Sequence, residues 1–159
     1  PLARGENGGR LQLMESWAAY DALPASLQVE DVNVVGLIRG SDPTLRDEVV
    51  VVGAHFDHVG IGPAVDGDSI YNGADDDASG VVTVLEIARA LRNGPPPART
   101  VLFLLTTAEE HGMLGTRWYV ANPVMPLERT VADLQIEMVG RPDAEAGGAG
   151  QAWLTGYPR

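Results

Sequence analysis

The chain has 159 residues, 45% of them hydrophobic, no cysteine, and 22 acidic against 11 basic side chains, for a formal charge of −11. That length and apolar content suffice for one globular domain burying about 70% of the surface of its unfolded chain, and the lack of cysteine excludes disulfides and thiolate-held metals. The acidic balance argues against a phosphate-backbone partner, and no apolar run of about 18 residues offers a membrane span.

Residues 1–27 form an N-terminal segment of Gly and charge around a weakly helical patch, Leu11 to Tyr20, that carries Trp17 and Tyr20. Residues 28–159 follow as the larger unit. Val32 to Arg39 alternates loosely and stops at Gly40-Ser-Asp-Pro43, a strand closed by a turn. Glu48 to Ala54 contains Val49-Val50-Val51-Val52, the unbroken β-branched run of a strand covered on both faces. Phe56 to Ala78 then passes without periodicity, rich in Gly and Asp. A structureless loop of about twenty residues in a compact domain is usually functional. Ser79 to Arg92 places Val81, Val84, Leu85, Ala88 and Leu91 at helical spacing and stops at Asn93-Gly94. Thr100 to Thr106 reads as a second buried strand, Leu114 to Ala121 as a short helix before Pro123, and Val131 to Met138 as a third strand of buried type.

Strand, helix, strand, helix, strand is the grammar of an α/β layered sheet with right-handed crossovers. Active sites in such sheets gather beyond the carboxyl ends of the strands. His55, Glu109-Glu110 and Glu137 each fall at or just after such an end. His55 offers a neutral imidazole nitrogen, and Asp57, two residues on along an extended chain, points to the same side and can accept the other ring N–H. A lone His is more often a hydrogen-bonded core residue, and it is Asp57 that tips the reading toward a metal ligand. Asp75-Asp76-Asp77 stands just before the helix start at Ser79. Capping explains one carboxylate there, but three like charges in a row repel unless cations neutralise them.

Glu109-Glu110 would ordinarily be exposed loop charge; in a metal site one of the pair binds a cation while the other moves a proton between nucleophile and leaving group. Glu137, inside Leu134-Gln-Ile-Glu-Met138, is a charge in an apolar run and requires a partner, for which a cation serves. Competing motifs fail. The zincin patterns H-E-x-x-H and H-x-x-E-H are absent, a dinucleotide fingerprint from Gly60 breaks at Val65, and Ser79 lacks the context of a nucleophile elbow because Asp77 holds the first Gly position. An EF-hand loop from Asp68 breaks at Ile70 and Ser79. Hydrolysis by paired metals is left.

These residues also resemble the co-catalytic dizinc exopeptidases, the family of aminopeptidase Y, bacterial leucyl aminopeptidases and glutamate carboxypeptidase. The likeness runs through Asn33-Val-Val-Gly36, Val51-Val-Gly-Ala-His55-Phe-Asp57-His58-Val-Gly60, Tyr71-Asn-Gly-Ala-Asp75-Asp-Asp-Ala-Ser-Gly80, Ala108-Glu109-Glu110 and Gln135-Ile-Glu137-Met-Val-Gly-Arg141. It implies a three-layer α-β-α sandwich on a mostly parallel mixed sheet, of which this chain is the amino-terminal part, incomplete at its C-terminus. By the resemblance His55 binds one Zn2+, Asp75 bridges two, Glu110 binds the second, and Glu137 completes the position of the first. Asp57 stands behind His55, Glu109 is the general base and acid, and a cis peptide joins Asp75 to Asp76.

The activity so implied is hydrolysis of a peptide bond next to a free terminus, most often the amino terminus, by a water activated between two zincs. The partner implied is a peptide or small N-terminal substrate, with no nucleic acid and no membrane, in a secreted or periplasmic setting. Relatives draw a fifth ligand from a His well downstream of the position of Glu137, a place that none of His55, His58 and His111 occupies. Two rival readings stay open: a glutaminyl cyclase-like acyltransferase with a single zinc, and a non-catalytic interaction module on the same fold. The tandem acids Asp75-Asp76 and Glu109-Glu110, with Asp57, favour the two-metal peptidase.

Overall fold

A computed structural model describes residues 2–4 and 11–156; residues 1 and 5–10 of the N-terminal segment lie outside the described part. Strand β1 (Leu2–Arg4) pairs antiparallel with β2 (Leu11–Leu13) and with β3 (Gln28–Val29), giving a small sheet in the order β2-β1-β3. Between β2 and β3 lies the short helix α1 (Trp17–Asp21), capped by Ser16, whose Oγ accepts from the Ala19 N–H at 3.1 Å. The patch expected to be weakly helical from Leu11 is therefore strand in its first part. Leu11-Gln-Leu13 alternates with period two, and its leucines pack with Val29 against buried Ala108 and Leu114. Trp17 and Tyr20 meet each other edge to face, ring centroids 5.8 Å apart.

The main sheet has four strands, β4 (Val34–Ile38), β5 (Val49–His55), β8 (Thr100–Thr106) and β9 (Thr130–Gln135), in the order β4-β8-β5-β9. β5 runs parallel to both β8 and β9, and β4 is antiparallel to β8. This is the mostly parallel mixed sheet expected. Between these strands come a hairpin of β6 (Gly60–Val65) and β7 (Asp68–Tyr71), helix α2 (Ala78–Asn93) and helix α3 (Leu114–Ala121).

Side chains alternate across the sheet and so build two core layers. On one face Val49, Val51, Leu102 and Leu104 pack with Tyr119 of α3. On the other, Val52, Ala54, Val101 and Phe103 pack with Val84 of α2, flanked by Val81, Ala88 and Leu91. Covering both faces of β5 and β8 demands apolar residues at every position, which is why these strands read as continuous runs. Each large side chain fully buried here contributes about 1.5–3 kcal/mol.

Two expectations are corrected. Phe56 to Ala78 is not structureless: it holds the β6–β7 hairpin, turned at Asp66-Gly67, both in the left-handed region with φ 52° and 87°. Consecutive positive φ values are those of a two-residue hairpin turn, for which Asp-Gly is a preferred pair. The hairpin strands are largely exposed, so no apolar alternation marks them. The strand expected to be buried from Val131 is instead the edge strand β9, with Val131 53% and Leu134 50% exposed.

Because β5, β8 and β9 are parallel, their carboxyl ends share one rim. His55 closes β5 opposite Thr106 of β8, and Gly53 lies opposite Gln135 of β9. The segments leaving that rim carry the acids.

Candidate metal centre

His55 is the last residue of β5 and is only 5% exposed. Its Nδ1 lies 3.0 Å from the backbone carbonyl oxygen of Asp57. A carbonyl has no hydrogen to give, so Nδ1 carries the proton and Nε2 of the neutral ring is left with a lone pair. That Nε2 stands 3.0 Å from Oδ1 of Asp76, yet neither atom has a hydrogen-bond partner. Burial opposes protonation of His55, but the negative charges of Asp77, Asp57 and Glu109 outweigh it and hold the ring above its ordinary pKa.

A second group lies beside the first. His58 Nδ1 is 2.8 Å from Oε1 of Glu110 and 3.9 Å from Oδ2 of Asp76. Here too the facing atoms, His58 Nδ1 and Glu110 Oε1, are buried without a hydrogen-bond partner. His55, Asp76 and Glu137 place one donor atom each within 4.8 Å of one another, and His58, Asp76 and Glu110 do the same. The carboxylate of Asp76 is common to both.

Asp77 is the helix cap. It is 1% exposed, and its Oδ1 accepts from the N–H of Gly80 at 3.0 Å and of Met138 at 3.1 Å. Burial raises its pKa despite those bonds. The bonds tie α2 to the segment after β9, and a Cβ at Gly80 would come within 2.3 Å of the Ile136 carbonyl oxygen, so the approach admits only glycine. Asp75, expected between the two cations, points elsewhere: its Oδ1 accepts from the Gly140 N–H at 2.8 Å and its Oδ2 lies 3.9 Å from Nε of Arg141. The carboxylate that faces the imidazoles of His55 and His58 is thus that of Asp76 rather than Asp75, and the cis peptide likewise comes one residue later, at Asp76-Asp77.

Asp57 stands behind His55 as expected, its Oδ1 3.6 Å from Nδ1, but the group that accepts the ring N–H differs. The ring N–H of His55 is met by the Asp57 backbone carbonyl; the carboxylate accepts instead from the N–H of Glu109 at 3.0 Å and of Glu110 at 3.3 Å. It thereby fixes the β8 loop to the β5 end. Glu109 follows Ala108, whose φ of 52° lies in the left-handed region, and Met138 just after Glu137 has φ 49°. Such angles cost a residue with a Cβ about 1–2 kcal/mol, and each turns the chain sharply beside a glutamate. Desolvation raises the pKa of Glu109; Glu137, Glu110 and Asp57 add to the rise while His55 opposes it. Glu137 itself is exposed rather than buried, since the edge strand before it leaves it at the surface.

Sequence reasoning left His58 without a part. The available signal was His55-Phe-Asp-His58 itself, two imidazoles within one turn of chain. The chain leaves the sheet after His55, so the strand alternation that would set residues 55 and 58 on opposite sides no longer applies.

Four buried polar atoms that face one another unpaired, His55 Nε2, His58 Nδ1, Asp76 Oδ1 and Glu110 Oε1, would each cost about 1–3 kcal/mol if left so. Divalent cations satisfy them all. Imidazole nitrogen with carboxylate oxygen and no thiolate suits zinc, and across a tetrahedral zinc such donors stand about 3.3 Å apart, close to the 3.0 Å and 2.8 Å seen here. A cleft of about 420 Å³ between Trp17 and Trp118 opens elsewhere and includes none of these residues.

Comparison with known proteins agrees with this chemistry. The model of peptidase family M28 matches residues 33–152. The probable leucine aminopeptidase 2 of Aspergillus oryzae is 36% identical over 112 residues, 70% of this chain and 20% of its own length. A vacuolar membrane protease of Pyrenophora tritici-repentis is 30% identical over 77% of this chain and 13% of its own. Among solved structures, a zinc aminopeptidase from Bacillus subtilis superposes with a TM-score of 0.56 at 30% identity, covering 72% of this chain and 26% of that one. The chain thus spans about a fifth of the length of the first of these relatives. With a family model matched over most of its length, the chain belongs to peptidase family M28.

Proposed function

We propose that the protein is a zinc-dependent exopeptidase, an aminopeptidase acting on peptides or small substrates with a free amino terminus. The observation that carries this is the carboxylate of Asp76 set between two imidazoles, with Glu137 and Glu110 on either side. His55, Asp76 and Glu137 would hold one Zn2+, and Asp76 with Glu110 a second. Bound there, zinc supplies Lewis acidity that polarises a carbonyl and lowers the pKa of water.

The chain's own groups do the rest. Asp57 holds the Glu109 and Glu110 amides and so sets both carboxylates at the rim. Glu109, whose pKa is raised by desolvation, takes the proton of the attacking water and delivers it to the departing amine. A single-zinc acyltransferase of the glutaminyl cyclase kind has no use for the second set of unpaired atoms at Glu110, which favours the peptidase. The reading extends to a setting outside the cytosol, in keeping with the vacuolar membrane proteases among the relatives. Among the described residues no helix is long and apolar enough to cross a membrane.

The test is release of chromophore from an amino-acid p-nitroanilide by the purified protein with zinc. Activity lost on chelation and with Glu109→Gln is expected; release that persists through both would refute the reading.

A further inference from the structure

We propose that Asp75 and Ser79 are positioning residues for Glu137, holding the segment behind it so that its carboxylate stays turned toward His55 and Asp76. The inference rests on the metallopeptidase reading above and gives a part to two residues that this reading leaves without one.

Three observations carry it. First, the Glu137 carboxylate lies within 4.8 Å of donor atoms of His55 and Asp76, yet among the described residues no hydrogen bond or ion pair holds it there. Its placing depends on the backbone. Second, that backbone is bonded at three consecutive N–H groups to side chains of the segment that opens α2. Met138 donates to Oδ1 of Asp77 at 3.1 Å, Val139 to Oγ of Ser79 at 3.0 Å, and Gly140 to Oδ1 of Asp75 at 2.8 Å. The Ser79 hydroxyl gives its own hydrogen to the Asp75 carbonyl oxygen at 2.7 Å, so its oxygen is free to accept from Val139 and the two residues brace each other. Met138 within this stretch has φ 49°, a left-handed angle that a residue with a Cβ rarely keeps unless its surroundings hold it. Third, the fit is close on both sides of Glu137. A Cβ at Gly140 would lie 2.8 Å from Oδ1 of Asp75 and 3.0 Å from Cβ of Ser79, and one at Gly80 would lie 2.3 Å from the Ile136 carbonyl oxygen. Asp76, between two of the clamping residues, meanwhile faces Nε2 of His55 at 3.0 Å. One short stretch of chain thus presents Asp76 and fixes Glu137 beside it.

Metal-free protein is titrated with zinc sulfate by calorimetry, beside Asp75→Ala, Asp75→Asn and Ser79→Ala, and beside both alanine changes made in a Glu137→Ala background. Each alanine variant should lose about 10–100-fold in zinc affinity, the range for groups that orient a ligand, whereas Asp75→Asn keeps an oxygen to accept from Gly140 and should stay within about threefold of the parent. With Glu137 already removed, neither alanine change should lower the affinity further, because the group they position is gone. Circular dichroism separates weakened binding from unfolding, and if Asp75→Ala does not fold, Ser79→Ala decides by the same criteria. Parent affinity in the folded alanine variants, an Asp75→Asn as weak as Asp75→Ala, or an equal loss in the Glu137→Ala background overturns the proposal. A parent protein that takes up no zinc overturns it together with the metallopeptidase reading. The anilide assay distinguishes the two claims: the expected zinc affinities without any cleavage remove the peptidase reading and leave Asp75 and Ser79 in place, whereas cleavage with unchanged zinc affinity in the alanine variants removes Asp75 and Ser79 alone.

Discussion

Leu102 and His55 sit on paired strands of one sheet and are buried to nearly the same degree, 0% and 5% exposed, yet their surroundings have opposite character. Around Leu102 everything is apolar: Val49, Val51, Leu104 and Tyr119 close over it. Around His55, a few residues toward the rim, buried polar atoms stand unpaired and face one another. The interior of the sheet is stable as it is, whereas the rim is complete only with something bound. Stability is thus concentrated at the middle of the sheet and chemistry at the carboxyl ends, and substitutions in the two regions should separate cleanly.

The largest effect belongs to the rim. Glu109→Gln should lower kcat by about 10²–10⁴-fold while zinc stoichiometry and melting temperature stay as they were, which steady-state kinetics and calorimetry check together. Leu102→Ala should do the reverse, costing about 2–5 kcal/mol in urea unfolding through the cavity it leaves, with zinc affinity intact once the protein is folded. A Leu102 variant that lost zinc affinity while still folded would break the separation. Asp57→Ala, which removes the acceptor for two loop amides without touching the facing donor atoms, should weaken zinc about 10–100-fold, the range seen when the partners that orient a ligand are lost.

The smallest effect lies where the interior departs from its own rule. Tyr119 is 6% exposed and its hydroxyl has no hydrogen-bond partner among the described residues. Tyr119→Phe should therefore stabilise by about 1 kcal/mol. Burial raises the pKa of this hydroxyl from its ordinary 10.0, and the charge of Asp133 adds to the rise. The folded state then keeps the proton longer than the unfolded one, so its contribution is full below pH 10.0 and is lost as pH rises through the folded value. Unfolding curves taken from neutral to strongly alkaline pH should show a smaller alkaline loss in the phenylalanine variant.

How far each region can be read from sequence follows from the same contrast. β8 and α3 begin and end where the sequence reading put them, and α2 differs by one residue at each end, because continuous burial or a helical apolar stripe leaves a dense signal. β9 sits at an edge, so apolar residues such as Val131 and Leu134 suggested burial that the fold does not provide. At the rim, His55, Glu109, Glu110 and Glu137 were legible as acids and imidazole at strand ends. Which aspartate of the triplet faces the imidazoles was not legible. That register is set by the contacts of Asp77 with Gly80 and Met138 and of Asp75 with Gly140, two of which reach more than sixty residues along the chain. His58 was hidden for a related reason, since its neighbours Gly73, Asp76 and Glu110 come from two later segments.

The central claim is that the rim groups converge on divalent cations through Asp76, and thermal unfolding of metal-stripped protein with and without zinc tests it most directly. Zinc at about 100 times its dissociation constant should stabilise the protein by about 2.7 kcal/mol, Asp75→Asn should keep most of that gain, and Asp76→Asn should lose it. Equal stabilisation of Asp76→Asn and the parent protein, or none in either, would contradict the account.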